Sequence, residues 1–526
     1  MLGVMIDCSR NAVLKPQTVK AFADMIKAMG YDTLMLYTED TYEVDGHPLF
    51  GCMRGKYTKE ELRDIDAHCA EIGIELVPCI QTLAHLNGMF AWSEYNDIRD
   101  CDDILLAEDE KTYQLIESMI ASVSQSFSSK KIHIGMDEAY RVGTGKYKRI
   151  HGEGDRFEII NRHLHRVCEI VEKYGFEPMI WSDMFCKLAL NTTDYYNTEG
   201  AEAIREKSGL PDKVSLVYWD YYSTDYSHYV NMIHTNKLFG RKVYFAGGAW
   251  TWRGIAPDNR FSIKTTEAAV KACRDCHVDG MFFTVWGDDG GECTPFAVLP
   301  SLMYAAEAAR GNFELDSIKE KFEQIVGCPF DSFMLLDELN LPGGKHEGQR
   351  CVGKYLLYND LFTGLKDCLC SSNDTLYYQA LAERIRDAEK GKYAVVFDVY
   401  ESLARVLSVK ADLGLRTRTA YQSADKEKLK ELLGDYDRLL ERTEHFHAVY
   451  QKMWLEFNKP HGFDIQDIRI GGLMQRVKSC RMRIADYING GVSEILELEE
   501  EMPNGSTGIY WDRIVSPNVV YCIDNG

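Results

Sequence analysis

The sequence lacks the features of a membrane protein, a secreted disulfide-rich protein and a nucleic-acid-binding protein. No stretch of its 526 residues approaches the 18 consecutive apolar residues that cross a bilayer. The first residues lack the basic region, apolar core and cleavage site of a signal peptide, so we expect a cytoplasmic protein with no membrane partner. The 16 cysteines are scattered, which is typical of free thiols in a reducing compartment. A net charge of −21 excludes a surface for nucleic acid, because phosphate recognition needs clustered cations.

Eight apolar runs alternate with helical patterns through residues 1–310. The runs are residues 2–6, 33–37, 74–80, 131–136, 177–181, 214–219, 242–246 and 280–286. Between the first two, Val19, Phe22, Ile26 and Met29 recur at helical spacing, and Gly30 follows as a stop signal. Near-continuous apolar strands separated by helices predict a parallel sheet buried on both faces. Eight such units predict a (β/α)8 TIM barrel. A doubly wound sheet is the alternative, but no Gly-x-Gly-x-x-Gly follows the first run.

Beyond residue 311 the pattern changes to long helices rich in Leu, Glu, Lys and Arg, as in residues 426–442. We therefore predict two domains, a catalytic barrel over residues 1–310 and a mostly α-helical C-terminal domain over residues 311–526. An aromatic and polar stretch, residues 454–462, lies between two helical patterns. We favour packing within the domain for this stretch. The alternative is that it reaches over the active site of its own chain or of a homodimer partner.

Aromatic and acidic side chains follow the predicted strands. In a TIM barrel the active site forms at the C-terminal ends of the strands. Five of the eight tryptophans lie at these ends, each within a few residues of a carboxylate or an arginine: Trp181, Trp219, Trp250, Trp252 and Trp286. Aromatic faces that stack on sugar rings, with acids that bind hydroxyl groups, predict a carbohydrate site. Simple packing of the barrel is the alternative explanation for the tryptophans.

Asp137 and Glu138 end the fourth run, where ionised side chains next to a buried strand are costly without a purpose. The pair predicts acid–base chemistry on a glycosidic bond, which needs a proton donor for the leaving oxygen. A metal site with His85 and His133 is the alternative. It is disfavoured because alternate residues of a strand face opposite ways. We expect both histidines to hydrogen-bond the carboxylates or the substrate, and we expect no metal and no organic cofactor.

Residues 133–138, His-Ile-Gly-Met-Asp-Glu, resemble the His-x-Gly-x-Asp-Glu signature of glycoside hydrolase family 20, the β-N-acetylhexosaminidases. In that family the motif closes the fourth strand of a TIM barrel. An arginine after the first strand, tryptophans after the fifth and sixth, and Trp-x-acid after the eighth also fit. Residues 245–249 lack the family's usual Tyr-x-Asp on the seventh strand, and the sequence starts without the family's usual preceding domain. Both differences imply a divergent branch.

The resemblance implies an exo-acting enzyme that releases terminal N-acetylglucosamine or N-acetylgalactosamine from a small glycan substrate with retention. In the family the substrate's own 2-acetamido carbonyl attacks the anomeric carbon and forms an oxazolinium intermediate, an exception to the two-carboxylate scheme. By the same resemblance, Glu138 protonates the leaving oxygen and then activates water. Asp137 accepts a hydrogen bond from the acetamide N–H. A tyrosine donates to the acetamide oxygen, and Tyr221 is the candidate, with Tyr218 and Tyr222 as alternatives.

The resemblance also assigns residues that bind the sugar. Trp181, Trp219 and Trp286 would wall the acetamido pocket and the sugar face. Arg10 would hold the O3 and O4 hydroxyls, and Asp288 the O4 and O6 hydroxyls. Trp250 and Trp252 are further candidates between which the sequence gives no preference.

Two other functions compete with this hypothesis. One is a conventional retaining glycosidase with Asp183 or Glu292 as its nucleophile. The other is a sugar-binding barrel without catalytic activity.

Overall fold

The computed structural model describes residues 1–207, 209–342, 351–371 and 373–501. The strands in this part of the chain are β1 (Leu2–Asp7), β2 (Thr33–Tyr37), β3 (Glu75–Cys79), β4 (Arg99–Cys101), β5 (Ile104–Leu105), β6 (Lys131–His133), β7 (Glu177–Trp181), β8 (Ser215–Trp219), β9 (Val243–Gly248) and β10 (Gly280–Val285). Eight of them close a parallel barrel in the order β1-β2-β3-β6-β7-β8-β9-β10, and β10 pairs again with β1. The predicted TIM barrel is therefore confirmed.

The helices of residues 1–310 are α1 (Pro16–Met29), α2 (Lys59–Glu71), α3 (Asn87–Phe90), α4 (Glu110–Ser124), α5 (Lys146–His151), α6 (Arg156–Lys173), α7 (Asp183–Ala189), α8 (Tyr226–Lys237), α9 (Asn259–Asp275) and α10 (Leu299–Ala309). Helix α1 ends where the sequence predicts, because Gly30 takes the left-handed conformation at φ 93° that other residues rarely adopt. Helix α2 starts with a capping box in which Thr58 and Glu61 satisfy each other's backbone N–H groups.

The helices that follow are α11 (Leu315–Val326), α12 (Phe330–Met334), α13 (Val352–Tyr358), α14 (Asp374–Asp387), α15 (Ala394–Lys410), α16 (Leu413–Gln422), α17 (Lys426–Phe457), α18 (Phe463–Ile488) and α19 (Leu496–Glu499). The predicted helical character of this region is confirmed over the residues that the structure describes. Within those residues no helix is both long and apolar enough to cross a lipid bilayer.

The chain divides into two compact units. The first, called the barrel unit below, contains residues 1–249, 261–286 and 301–318. The second, called the helical unit, contains residues 250–260, 287–300 and 319–526. The predicted boundary at residue 310 falls inside the last segment of the barrel unit. Two earlier stretches, those that follow β9 and β10, group with the helical unit.

The interior of the barrel is filled by side chains from alternate positions of its strands, as in a packed core rather than a pore. The buried cluster consists of Met5, Met35, Tyr37, Val77, Cys79, Met179, Trp181, Val217, Tyr244, Ala246 and Phe282. Trp219 and Trp286 pack against this cluster while remaining partly exposed. The core therefore supports the aromatic residues of the rim from below.

Candidate active site

The backbone turns sharply where β6 ends, and this turn presents the acid pair. The strand ends at His133, so it is shorter than the predicted run, and Gly135, Met136 and Glu138 all have positive φ angles. A side chain at position 135 would place its Cβ 1.9 Å from Gln81 Oε1, which explains the glycine there. The same Oε1 accepts the backbone N–H of Met136 at 3.2 Å. Gln81 therefore holds the turn that precedes Asp137.

Asp137 is buried, and two neighbours on the loop after β3 hold its carboxylate. Gln81 Nε2 donates to Asp137 Oδ1 at 2.7 Å, and His85 Nε2 lies 3.2 Å from Asp137 Oδ2. Burial favours the neutral acid, but the charge and hydrogen bond of His85 outweigh it and lower the pKa of Asp137. Burial likewise lowers the pKa of His85, but Asp137 outweighs it and raises the pKa of His85 to about 10. The pair is an aspartate and an imidazolium at neutral pH.

Glu138 lies next to Asp137 and is held by two tyrosines. Tyr140 and Tyr195 both donate to Glu138 Oε1, at 2.9 and 2.8 Å. The other oxygen, Oε2, lies 3.6 Å from His85 Nε2. The side chain of Glu138 is 36% exposed, against 13% for Asp137. Of the two acids, Glu138 is the one that reaches solvent.

A cation–π contact braces the tyrosines that bind Glu138. Lys187 Nζ lies 3.7 Å from the ring centre of Tyr195 and 4.6 Å from that of Tyr140. The ring of Tyr195 also packs 5.2 Å from that of Trp219. Burial lowers the pKa of Lys187. Tyr140 and Tyr195 lie on irregular loops, and these contacts hold their phenol groups in place.

A third carboxyl group, Asp183, lies beside the pair. It begins α7 directly after β7, it is buried, and its Oδ2 accepts the backbone N–H of Glu138 at 3.1 Å. Burial and the negative charge of Asp137 raise the pKa of Asp183 to about 8. The group is therefore largely neutral at pH 7, unlike Asp137.

Asp137 is also connected to Arg10 through a chain of polar side chains. Gln81 Nε2 donates to Tyr37 Oη at 2.8 Å as well as to Asp137, and Tyr37 Oη donates to Glu39 Oε1 at 3.1 Å. Arg10 Nη2 lies 3.2 Å from the same Glu39 oxygen. The ends of β1, β2, β3 and β6 are thereby linked into one polar rim.

Aromatic rings line the barrel beside these polar groups. Trp181 packs 4.3 Å from His133 and 6.0 Å from Trp286. The rings of Trp219 and Tyr221 are stacked at 5.5 Å, and Trp286 Nε1 donates to Tyr221 Oη at 3.0 Å. An aromatic wall beside paired carboxylates is an arrangement that suits a sugar ring.

Comparison with known proteins identifies the family of this chain. The family model described as "Glycosyl hydrolase family 20, catalytic domain" matches residues 2–277, more than half of the chain. The chain belongs to glycosyl hydrolase family 20. The "Glycoside Hydrolase 20C C-terminal domain" model matches residues 331–506, so the helical region also resembles a known domain of family 20.

The individual relatives are distant. The chain is 23% identical over 242 residues to Hexosaminidase D of Bos taurus, a match that covers 44% of this chain and 64% of the relative. It is 25% identical over 209 residues to Hexosaminidase D of Homo sapiens, covering 38% of this chain and 40% of the relative. The matches thus span less than two thirds of each of these proteins.

Solved structures of family 20 enzymes also match this chain at low identity. One is the exo-β-N-acetylglucosaminidase of Vibrio harveyi in complex with N-acetylglucosamine (TM-score 0.48, 15% identity, covering 62% of this chain and 57% of that chain). Another is the chitobiase of Flavobacterium johnsoniae (TM-score 0.45, 16% identity, covering 94% and 73%).

Most of the residues predicted for the family 20 site meet in the barrel unit. The acid pair and His85 are in direct contact, and Arg10 joins them through the polar chain. The tryptophans Trp181, Trp219 and Trp286 and the candidate Tyr221 form the aromatic wall. Tyr218, one alternative to Tyr221, donates instead to the buried Asp220 at 2.8 Å, and Tyr222 is 45% exposed.

His133 lies deeper than the sequence predicts. It is fully buried, its Nδ1 accepts the backbone N–H of Gly135 at 3.1 Å, and burial lowers its pKa to about 3. A neutral ring beneath Trp181 supports the aromatic wall. It presents no surface with which a substrate could form a hydrogen bond.

Four residues named from the sequence belong to the helical unit. Trp250 and Trp252 stack on each other with ring centres 4.3 Å apart. Asp288 lies half-buried in the stretch 287–300. Glu292, from the same stretch, forms ion pairs with Lys354 at 2.7 Å and Arg469 at 2.8 Å. For Trp250, Trp252 and Asp288 a contact with substrate stays a prediction.

Sequence reasoning missed five residues of the site. Gln81, Tyr37 and Glu39 have a local signal, since each lies at or just after the end of an apolar run. Tyr140 lies only two residues after Glu138, whereas Tyr195 lies on an irregular loop and reaches Glu138 only through the fold.

Proposed function

We propose that this protein is an exo-acting β-N-acetylhexosaminidase that works by substrate-assisted catalysis with retention. Its substrate is a glycan ending in a non-reducing N-acetylglucosamine or N-acetylgalactosamine residue. The observation that carries the proposal is the state of Asp137, an aspartate that His85 and Gln81 keep ionised and oriented beside Glu138.

An ionised Asp137 suits a reaction whose nucleophile belongs to the substrate. Its carboxylate accepts the acetamide N–H, which turns the carbonyl oxygen toward the anomeric carbon. As that oxygen bonds to the carbon, positive charge develops on the acetamide, and the aspartate stabilises it in a buried site. The hydrogen bond from Gln81 and the ion pair with His85 keep the carboxylate in place before the substrate binds.

Glu138 is the general acid and then the general base in this scheme. Both tyrosines bind Oε1, which leaves Oε2 to carry the proton to the glycosidic oxygen as the bond to the anomeric carbon breaks. Water then attacks the anomeric carbon of the oxazolinium and gives its proton to Glu138, and the bond to the acetamide oxygen breaks. Two inversions at the same carbon give net retention.

The aromatic wall and the polar rim supply binding. Trp181, Trp219 and Trp286 offer faces for the sugar ring and the acetamide methyl group. Tyr221 would donate to the acetamide oxygen, a role that its stacking on Trp219 supports. Arg10, held by Glu39, would bind ring hydroxyls.

The structure disfavours the conventional two-carboxylate mechanism. Asp183 has a pKa of about 8, so it is largely protonated at pH 7 and a poor nucleophile. The carboxylate of Glu292 is 1% exposed and is already paired with Lys354 and Arg469. Neither acid is poised to attack a sugar.

Initial rates on the nitrophenyl β-N-acetylglucosaminide and β-N-acetylgalactosaminide test the proposal. We expect hydrolysis of at least one substrate and strong inhibition by a thiazoline that mimics the oxazolinium intermediate. Hydrolysis without thiazoline inhibition would support the two-carboxylate mechanism. Absence of turnover on both substrates would support a sugar-binding barrel without activity.

Asp137→Asn tests the assisted mechanism directly. Because Asp137 acts on the nucleophile, we expect rates to fall by about 10²-fold on good and poor leaving groups alike. The matched control is Asp97→Asn, at an exposed aspartate that pairs with Lys111, and it should leave rates unchanged. A loss of less than a factor of two in Asp137→Asn would contradict the mechanism.

A further inference from the structure

A polar cavity lies among α14, α15, α16 and α17 of the helical unit. Its volume is about 430 Å³, which is within the range of small-molecule sites. The charged residues that line it are Glu383, Arg405, Asp412, Arg416, Asp435, Arg438 and Arg442. Four of them are arginines, in a chain whose net charge is −21. Such a concentration of guanidinium groups is unexpected for a surface that only has to stay in solution.

Three of the four arginines are paired with acids. Arg416 binds Asp412 at 2.8 Å and Asp435 at 2.5 Å. Arg438 also pairs with Asp435, and Arg405 pairs with Glu401. Asp412 and Asp435 are two of the three carboxylates that line the cavity; the third, Glu383, takes no part in these pairs.

Arg442 differs from the other three. Its Nη1 donates to the Arg405 carbonyl oxygen at 2.8 Å and to Ser408 Oγ at 2.7 Å. Within the residues that the structure describes, no carboxylate lies within 4.0 Å of its guanidinium. The guanidinium of Arg442 is thus held in place by neutral oxygens and has no direct ion pair.

Like charges also surround Arg442. Arg438 lies one turn earlier on the same helix, so the two guanidinium groups share a face of α17. Burial, and then repulsion from Arg405 and Arg438, lower the pKa of Arg442 and outweigh the attraction of Glu441 and Asp435. Grouping these charges costs free energy that an anion in the cavity would recover.

We propose that this cavity binds a phosphate dianion, either free inorganic phosphate or the phosphate group of a small phosphorylated metabolite. Guanidinium groups match phosphate oxygens through paired N–H donors, and several can bind one dianion at once. Arg442 would make the central contact, with Arg405 and Arg438 on either side. The proposal is independent of the reaction proposed for the barrel.

Titration calorimetry on the full chain tests the proposal, with inorganic phosphate and glucose 6-phosphate as probes at matched ionic strength in chloride. We expect one site that chloride does not occupy. Tighter binding of glucose 6-phosphate indicates a phosphorylated metabolite, whereas equal or weaker binding indicates free phosphate. Failure of both probes to bind overturns the proposal.

Two variants and a control locate the site. Arg442→Gln should weaken phosphate binding at least 10-fold, and Arg442→Lys, which keeps the charge but loses the paired donors, should weaken it less. The control Arg386→Gln removes the same charge from an exposed arginine that pairs with Asp387, and binding should stay within 2-fold. Circular dichroism checks that each variant folds, and Arg442→Lys serves if Arg442→Gln does not. Equal losses in the Arg442 variant that folds and in the Arg386 control would overturn the assignment.

Discussion

Two clusters of buried acids in this protein differ in their surroundings. In the barrel unit, Asp137 and Asp183 lie beside Glu138, and the cation that contacts this group is His85. In the helical unit, Asp289 and Glu292 face Lys354, and Glu292 also binds Arg469. Lys354 is 2% exposed and keeps a raised pKa despite its burial, because the two carboxylates stabilise its charge.

The difference distinguishes a reactive cluster, in the barrel unit, from an ion-paired cluster that stabilises the helical unit. The acids of the helical unit are each matched by a cation, so they hold the stretch 287–300 to α13 and α18 and are not poised to react. The acids of the barrel are crowded, and burial and repulsion divide them into one ionised and one protonated group, Asp137 and Asp183. Such divergence between neighbouring carboxyl groups is typical of catalytic sites.

Removing the charge of Glu138 should give the largest effect on activity. For Glu138→Gln we expect rates on substrates with poor leaving groups to fall by about 10²- to 10⁴-fold, because these need protonation. Dinitrophenyl substrates should lose much less. Initial rates on a series of substrates with different leaving groups measure this difference in rate loss.

The same variant should leave stability nearly unchanged, since Glu138 is partly exposed and lies beside other acids. Thermal unfolding of wild type and Glu138→Gln provides that control. Equal losses on every leaving group would show that Glu138 is not the acid.

The sequence predicts the barrel well and the electrostatics of its site poorly. Parallel strands buried on both faces leave contiguous apolar runs, so β2 and β7 match their predicted bounds, residues 33–37 and 177–181. Residues at the ends of such runs lie on one rim, which is why Asp137, Glu138 and Trp181 could be named in advance.

Other features depend on the folded structure alone. The hydrogen bond between Tyr195 and Glu138 joins residues 57 positions apart, and no local pattern marks it. The protonation of Asp183 depends on its burial against Asp137, which a sequence does not display. Membership of residues 287–300 in the helical unit depends on ion pairs with distant lysine and arginine side chains.

Removing the charge of Glu292 should lower the stability of the protein, whereas removing the charge of Glu138 should leave it nearly unchanged. Glu292→Gln leaves Lys354 and Arg469 buried with one carboxylate fewer, and we expect a loss of about 3 kcal/mol. The unfolding midpoint in urea, followed by circular dichroism, measures it.

A matched control is Glu431→Gln, at an exposed glutamate that pairs with Lys428 on α17. That change should cost less than about 0.5 kcal/mol, because exposed ion pairs contribute little. Similar urea midpoints for Glu292→Gln and Glu431→Gln would mean that the ion pairs of Glu292 do not stabilise the fold.

The pH dependence of stability tests the protonation of Asp183. A carboxyl group with a pKa of about 8 in the folded protein, and about 3.9 when unfolded, binds its proton more tightly in the folded state. Stability should therefore fall as the pH rises between these values, by at most about 1.4 kcal/mol per pH unit, and level off above pH 8. Asp183→Asn mimics the neutral form, so its advantage over wild type should be small at pH 5 and grow toward pH 8. Asp97→Asn should show no such growth, because Lys111 lowers the pKa of Asp97. If the difference in stability between Asp183→Asn and wild type is the same at every pH from 5 to 8, Asp183 is ionised throughout this range. Asp183 is then again a candidate nucleophile.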